Sequence, residues 1–178
     1  KSDFDYWCCV RDDLDSEEVK RLEEKCQRIE VWSEKELGVE VHFFLTTPEL
    51  LRNNDFGELS KESCGSALGK LLKEEYFRGS LLLAGKIPYW WIVPPGCSDD
   101  EYQKVVEKVE GDQREKSLDF VDIGNIASIP MEELVGGGMW QLNKAIHSPF
   151  KSALKMALLM VYSDPEQTFA LVAGDLKR

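Results

Sequence analysis

Hydrophobic positions recur with two different periods along the first forty-five residues. Asp3 to Val10 carries β-branched or aromatic side chains at several positions and predicts a short strand. Asp15, followed three residues later by Glu18, is a capping-box-like helix start. Val19, Leu22, Cys26, Ile29 and Trp32 then recur at helical spacing, with charges between them, up to Gly38 as a C-terminal stop. Val39-Glu40-Val41-His42-Phe43-Phe44-Leu45 returns to a period of two and predicts a second strand. Val39, Val41, Phe43 and Leu45 share one face of it, Glu40 and His42 the other. Strand, helix and strand make a βαβ-like unit.

The rest of the chain shifts toward helices. Pro48 to Gly65 is polar and turn-rich, with Asn53-Asn54-Asp55 and Gly57 as breakers. Ser66 to Ala84 predicts a helix that buries Leu68, Leu71, Leu72 and Phe77. Pro88 interrupts, and Tyr89 to Val93 reads as a third strand closed by Pro94-Pro95. Tyr102, Val105, Val106 and Val109 mark a short amphipathic helix, and the charged stretch Gly111–Ser117 is the best linker candidate. Two helices close the chain. The first starts near Pro130 and points Leu134, Met139, Leu142 and Ile146 inward, with Gly136-Gly137-Gly138 weakening its middle. The second has Ser148 as N-cap and Pro149 in its first turn, and points Phe150, Leu154, Ala157, Leu158 and Val161 inward. Trp90, Trp91 and Trp140 lie in apolar runs and are expected mostly in the core. No internal repeat is visible, and the fold class is α+β with a helical second half.

Composition narrows the function classes. A length of 178 residues is enough for one domain or two small ones with a real core. A net charge of −11 argues against a phosphate-backbone partner, so no nucleic acid is expected. No apolar stretch approaches the length of a transmembrane segment. The opening Lys1-Ser2-Asp3-Phe4-Asp5 has no signal-peptide pattern and no Met, which points to a fragment whose natural start lies upstream. Five cysteines without a CxxC pair read as reduced thiols, hence a cytoplasmic setting.

The candidate chemistry starts at Asp3-Phe4-Asp5. A strand places both carboxylates on one face, where they repel each other unless a cation sits between them. Hard oxygen ligands suit Mg²⁺, which also binds substrate phosphates. A DxD alone is common on solvated strand ends. Glu40 adds to it, because one helix separates its strand from the first; if the strands are neighbours, Asp3, Asp5 and Glu40 converge. His42 reads as a packing residue without a catalytic role. Toward the other end, Ser148, Lys151 and Lys155 are spaced three and four apart and share one helix face, with Lys144 just before the break. Ser148 stands at a helix N-terminus, where free N–H groups and the dipole favour an anion.

Ser2-Asp3-Phe4-Asp5-Tyr6-Trp7 resembles the Ser-Asp-Leu-Asp-hydrophobic-Trp block of class I adenylate cyclases, the enterobacterial type, which belong to the polymerase-beta-like nucleotidyltransferase superfamily. The likeness continues through Gly38 to Leu45, Ser63-Cys64-Gly65-Ser66, Leu83-Ala84-Gly85-Lys86 and Trp91 to Pro94. It is strongest over Trp140-Gln141-Leu142-Asn143-Lys144-Ala145-Ile146-His147-Ser148-Pro149-Phe150-Lys151 and runs on to Lys155. Several blocks in the right order are far more specific than any one of them. Two features depart from the family pattern. The Gly-Ser turn that precedes the DxD strand would lie before Lys1, and the Gln-His pair of the middle helix is here Leu68-Gly69.

The resemblance implies a nucleotidyltransferase-like small mixed sheet flanked by helices, followed by a helical C-terminal part. The division implied is residues 1–96 for the α/β part, truncated at its N-terminus, and 97–178 for the helical part. It implies an enzyme that converts ATP to 3′,5′-cyclic AMP and pyrophosphate with two Mg²⁺ or Mn²⁺ ions on Asp3, Asp5 and Glu40. Ser2, Gly65, Ser66, Lys144, Ser148, Lys151 and Lys155 are then the expected substrate contacts, ATP the partner, and regulation the work of a domain or protein outside this stretch. Two readings stand beside it: a nucleotidyltransferase moving AMP to another acceptor, and a non-catalytic nucleotide-binding or interaction module.

Overall fold

A computed structural model describes residues 3–57, 69–111, 119–164 and 171–177. The chain divides into two compact units, residues 1–51 and 52–178. The class is α+β, as the sequence predicts.

The first unit is the expected strand–helix–strand. Strand β1 (Phe4–Cys9) lies parallel to β2 (Val41–Thr46), joined by helix α1 (Ser16–Trp32) and one π turn (Ser33–Leu37). The capping box forms: Glu18 N–H donates to Asp15 Oδ1 at 2.8 Å, and Asp15 N–H donates to Glu18 Oε2 at 3.1 Å. Gly38 ends the π turn with φ 63°, a left-handed conformation that glycine adopts without a Cβ penalty.

The inward stripe of α1 differs from the expectation in its last turn. Val19, Leu22 and Cys26 are half-buried, but Glu30 and Ser33 continue the stripe, while Ile29 and Trp32 are exposed. Hydrogen bonding decides this. The Phe43 N–H points away from β1 and donates to Glu30 Oε1 at 2.7 Å, so a helix carboxylate satisfies an edge-strand donor. Ser33 Oγ donates to the Val39 carbonyl at 3.0 Å. Polar anchors of the second strand therefore take the inner positions, and Trp32 is left outside.

The second unit is mainly helical. Short helix α2 (Pro48–Arg52) spans the boundary between the units; then come α3 (Lys70–Gly79), α4 (Asp99–Gly111), α5 (Met131–Lys144), α6 (Pro149–Ser163) and the single turn α7 (Val172–Asp175). Two-residue strands β3 (Ile87–Pro88) and β4 (Phe120–Val121) pair in parallel. Tyr89–Trp91, expected as strand, forms a 3₁₀ turn. That turn buries Tyr89 against Phe120 at 5.1 Å between ring centroids, and Trp90 against Phe77 at 4.2 Å. Trp91 is exposed. The helix expected to reach Ala84 ends at Gly79, and Leu81 and Leu83 stand in solvent.

Leu71, Leu134 and Leu159 form the centre where α3, α5 and α6 meet, with Ile129, Met156 and Tyr162 around it. Helix α5 runs unbroken through Gly136-Gly137-Gly138, whose Gly137 is buried. Tyr102 and Val106 bury the predicted face of α4. A correction concerns the closing helices. Met139, Leu142, Ile146, Phe150, Leu154 and Val161, read as inward-facing, are exposed, while Ser152 and Leu159 face in. The linker candidate falls almost wholly outside the described residues.

Candidate functional site

The register of the β1–β2 ladder controls the acidic cluster. Phe4 aligns with Val41 and Asp5 with His42, and the Phe4 N–H donates to the Glu40 carbonyl at 3.0 Å. Asp3 therefore stands beside Glu40 at the start of the ladder, and the period of two puts Asp3, Asp5, Glu40 and His42 on one face. Asp3, Glu40 and His42 each offer one ligand atom, and the three atoms lie within 4.8 Å of one another. His42 Nε2 is 3.3 Å from Glu40 Oε1. The carboxylate of Asp5, one step further along, is not one of the three.

Ligand atoms about 2.1 Å from one divalent ion stand roughly 3–4 Å apart. The spacing of the three donors is thus close to that range. Their chemistry fits as well, since two carboxylates supply hard oxygen and an imidazole supplies nitrogen. Asp3 and Glu40 are exposed, and His42 is partly so. A cation and its bound phosphate can reach them from solvent.

His42, read from the sequence as a packing residue, stands beside Asp3 and Glu40 in this cluster. The signal was present, because a residue two places after Glu40 on a strand shares its face, just as Asp5 shares that of Asp3. The packing reading also holds in part, because His42 is half-buried and its ring centroid lies 6.5 Å from that of Phe44.

The late lysines divide into three situations. Lys155 Nζ donates to Glu75 Oε1 at 2.7 Å and is half-buried. It faces a cavity of about 30 Å³ lined also by Glu74, Arg78, Gln141 and Tyr162, large enough for a water molecule. Lys144 Nζ sits 5.1 Å from the centroid of the Trp140 ring. Lys151 is exposed and makes no ion pair or hydrogen bond among the described residues. Ser148 occupies the N-cap position of α6, yet its side chain makes no capping bond. The N–H groups of the first turn after Pro149 are thus not capped by that hydroxyl. Ser2, Gly65 and Ser66 lie outside the described residues.

Arg78 reaches Glu74 Oε2 at 3.5 Å and Glu75 Oε1 at 3.8 Å. Glu74 is almost fully buried and accepts from the Tyr162 hydroxyl at 2.8 Å and the Ala173 N–H at 3.1 Å. Burial, with the Glu74 carboxylate next in effect, pushes the Tyr162 hydroxyl far above its ordinary range, so it stays a donor to that carboxylate. This network ties α3 to α6 and α7. Burial also raises the Cys9 thiol to about 11, with Asp12 adding to the shift, so it is protonated at neutral pH. No helix of the described residues is long and apolar enough to cross a membrane.

Two family models match the chain in order. The adenylate cyclase NT domain covers residues 1–91, and the second domain of class-I adenylate cyclase covers residues 129–178. Matches of both kinds in one chain place it among the adenylate cyclase proteins. Specifically, the chain belongs to the class-I adenylate cyclase family. Adenylate cyclase of Escherichia coli (strain K12) is 39% identical over 178 residues, and that of Salmonella typhimurium (strain LT2) is also 39% identical. Adenylate cyclase of Yersinia pestis is 36% identical over 177 residues. In each case 99% of this chain is covered but only 21% of the relative. The chain spans about a fifth of the length of the curated relatives it matches. No solved structure matches it.

Proposed function

We propose that this chain carries the catalytic metal site of an adenylate cyclase that converts ATP to 3′,5′-cyclic AMP and pyrophosphate. Donor atoms of Asp3, Glu40 and His42 within 4.8 Å of one another, at the start of two paired strands in a class-I cyclase chain, carry the reading; the strand period adds Asp5 to that face. In the reaction the ribose 3′-hydroxyl loses its proton, its oxygen attacks the α-phosphorus, and the bond to the pyrophosphate oxygen breaks. Two divalent ions, Mg²⁺ or Mn²⁺, would make the hydroxyl more acidic and balance charge on the triphosphate. Asp3, Asp5 and Glu40 are the residues proposed to hold them, on a nucleotidyltransferase-like β1–α1–β2 frame. In that frame the ladder register sets Asp3 beside Glu40, and the Glu30 carboxylate holds the outer edge of β2 through the Phe43 N–H.

Lys151, Ser148 and the first turn of α6 are the proposed triphosphate contacts, since Lys151 makes no ion pair or hydrogen bond among the described residues and the Ser148 hydroxyl does not cap. Lys155, held by Glu75, serves that end by positioning α6 against α3.

The test incubates the full-length chain with ATP and Mg²⁺ or Mn²⁺ and measures cyclic AMP and pyrophosphate. Asp3→Asn with Glu40→Gln should reduce turnover at least about a hundredfold, the scale of lost electrostatic stabilisation at a reacting centre. In the same assay, Lys151→Ala should weaken ATP binding more than AMP binding. Pyrophosphate without cyclic AMP would instead identify transfer of AMP to another acceptor. Undiminished cyclisation in the double variant would remove this cluster from the reaction.

A further inference from the structure

A site built only of carboxylates would favour hard, oxygen-seeking cations, and this one contains an imidazole. His42 projects from β2 on the same face as Glu40, two residues on, and aligns with Asp5 across the ladder. Its ring nitrogen is within 4.8 Å of donor atoms from both Asp3 and Glu40, and Nε2 lies 3.3 Å from Glu40 Oε1. An imidazole seated that close to two carboxylates on an open strand face completes a three-donor set for one ion.

We propose that His42 is a direct ligand of the divalent cation held by Asp3 and Glu40, and that it biases the site from Mg²⁺ toward Mn²⁺. The inference rests on the proposed metal site and adds a ligand to it. The physical reason is ligand softness. Mg²⁺ takes oxygen donors at about 2.0–2.1 Å in near-ideal octahedra and gains little from nitrogen. Transition-metal ions accept imidazole alongside carboxylate, so one nitrogen in the set raises their affinity relative to Mg²⁺. The placement also suits substrate chemistry. Three protein donors on one open face would leave the ion's remaining coordination to water or phosphate oxygens.

The measurement is Mn²⁺ binding to the full-length chain without nucleotide, followed by electron paramagnetic resonance. Pulsed spectra of the wild type should show modulation from a directly bound imidazole ¹⁴N. His42→Ala should remove that modulation and weaken Mn²⁺ binding by about tenfold or more, the lower end of what tampering with a metal's ligand shell does. Mg²⁺ affinity, read by competition, should fall much less. Circular dichroism of the variant, unchanged from wild type, separates ligand loss from unfolding. Mn²⁺ binding that requires Asp3 and Glu40 but shows no nitrogen coupling, or is untouched by His42→Ala, overturns the role of His42 and leaves the carboxylate site standing. Failure of the wild type to bind Mn²⁺, or binding indifferent to Asp3→Asn and Glu40→Gln, overturns both.

Discussion

Lys73 carries its ammonium into the interior of the second unit, where the residue is 1% exposed. Its Nζ lies 5.9 Å from the Phe77 ring centroid and fills the space beside Gly124, where an added Cβ would come within 2.8 Å of it. Gly124, at φ 80°, thereby makes room for the lysine. Burial lowers the Lys73 pKa from 10.5 to about 8; Asp122 and Asp99 oppose the shift, and Lys70 adds to it. Between those two values the unfolded chain holds a proton that the folded chain has released, so stability rises with pH across this window. Below about pH 8 the buried charge costs the most, on the order of 3 kcal/mol at 1.36 kcal/mol per pKa unit. Lys73→Met should therefore stabilise the protein at pH 7, and its advantage over wild type should shrink as pH climbs toward 10. Urea unfolding of both proteins at several pH values reads the difference; an advantage that does not change with pH would mean that Lys73 is not titrating there. Nothing in a helical lysine among Leu71, Leu72 and Phe77 distinguishes a buried ammonium from one that reaches solvent, so this feature was not legible in the sequence. The acidic face was legible, because Asp3, Asp5, Glu40 and His42 follow a strand period that needs no tertiary information. The register was not. A shift of two residues would set Asp5 rather than Asp3 beside Glu40.

Helix starts show the same division one level up. The cap of α1 is local, with Asp15 and Glu18 three residues apart, and the sequence announces it. Helix α3 has no such signal. Gly69 occupies its N-cap position with φ 70° and no side chain, and the N–H groups of Lys70 and Leu71 donate to the Glu133 carboxylate at 3.3 and 2.7 Å. A buried acid from α5, more than sixty residues away, does the work of a cap and meets the positive end of the helix dipole. Such a partner is invisible to any local pattern. The turn at Gly69 leaves no room for a side chain. A Cβ there would lie 2.2 Å from the Asn54 carbonyl oxygen and 3.0 Å from the Phe56 ring. Gly69→Ala should accordingly destabilise the protein by about 2 kcal/mol or more, combining left-handed backbone strain with a backbone collision. Thermal and urea unfolding measure it, and a neutral result would show that the approach of Asn54 to this turn relaxes at no cost.

Across the whole molecule, α5 and α6 explain why helices were easier to find than to orient. Their existence followed from apolar periodicity and from Pro149 in the first turn of α6. Their rotation did not, because α6 is apolar on two sides. Phe150, Leu154 and Val161 form one stripe, and Met156 and Leu159 lie on another. Hydrophobic content alone favoured the first. The structure buries the second, because that rotation brings Lys155 to Glu75 and Tyr162 to the buried Glu74. Turning α6 to bury Phe150 would break both bonds and leave Glu74 with fewer donors in an interior where an unpaired charge is costly. Polar partners fixed on α3 therefore choose the face, and hydrophobic packing follows. The observed rotation of α6 ranks two substitutions in the opposite order from the one composition suggests. Phe150 is 87% exposed, so Phe150→Ser should change stability by no more than about 0.5 kcal/mol. Leu159 is 9% exposed and packs with Leu71 and Leu134, so Leu159→Ala should cost about 2–5 kcal/mol. Equilibrium unfolding of the two variants decides between the rotations, for a larger loss from Phe150→Ser would mean that the outer stripe is the buried one.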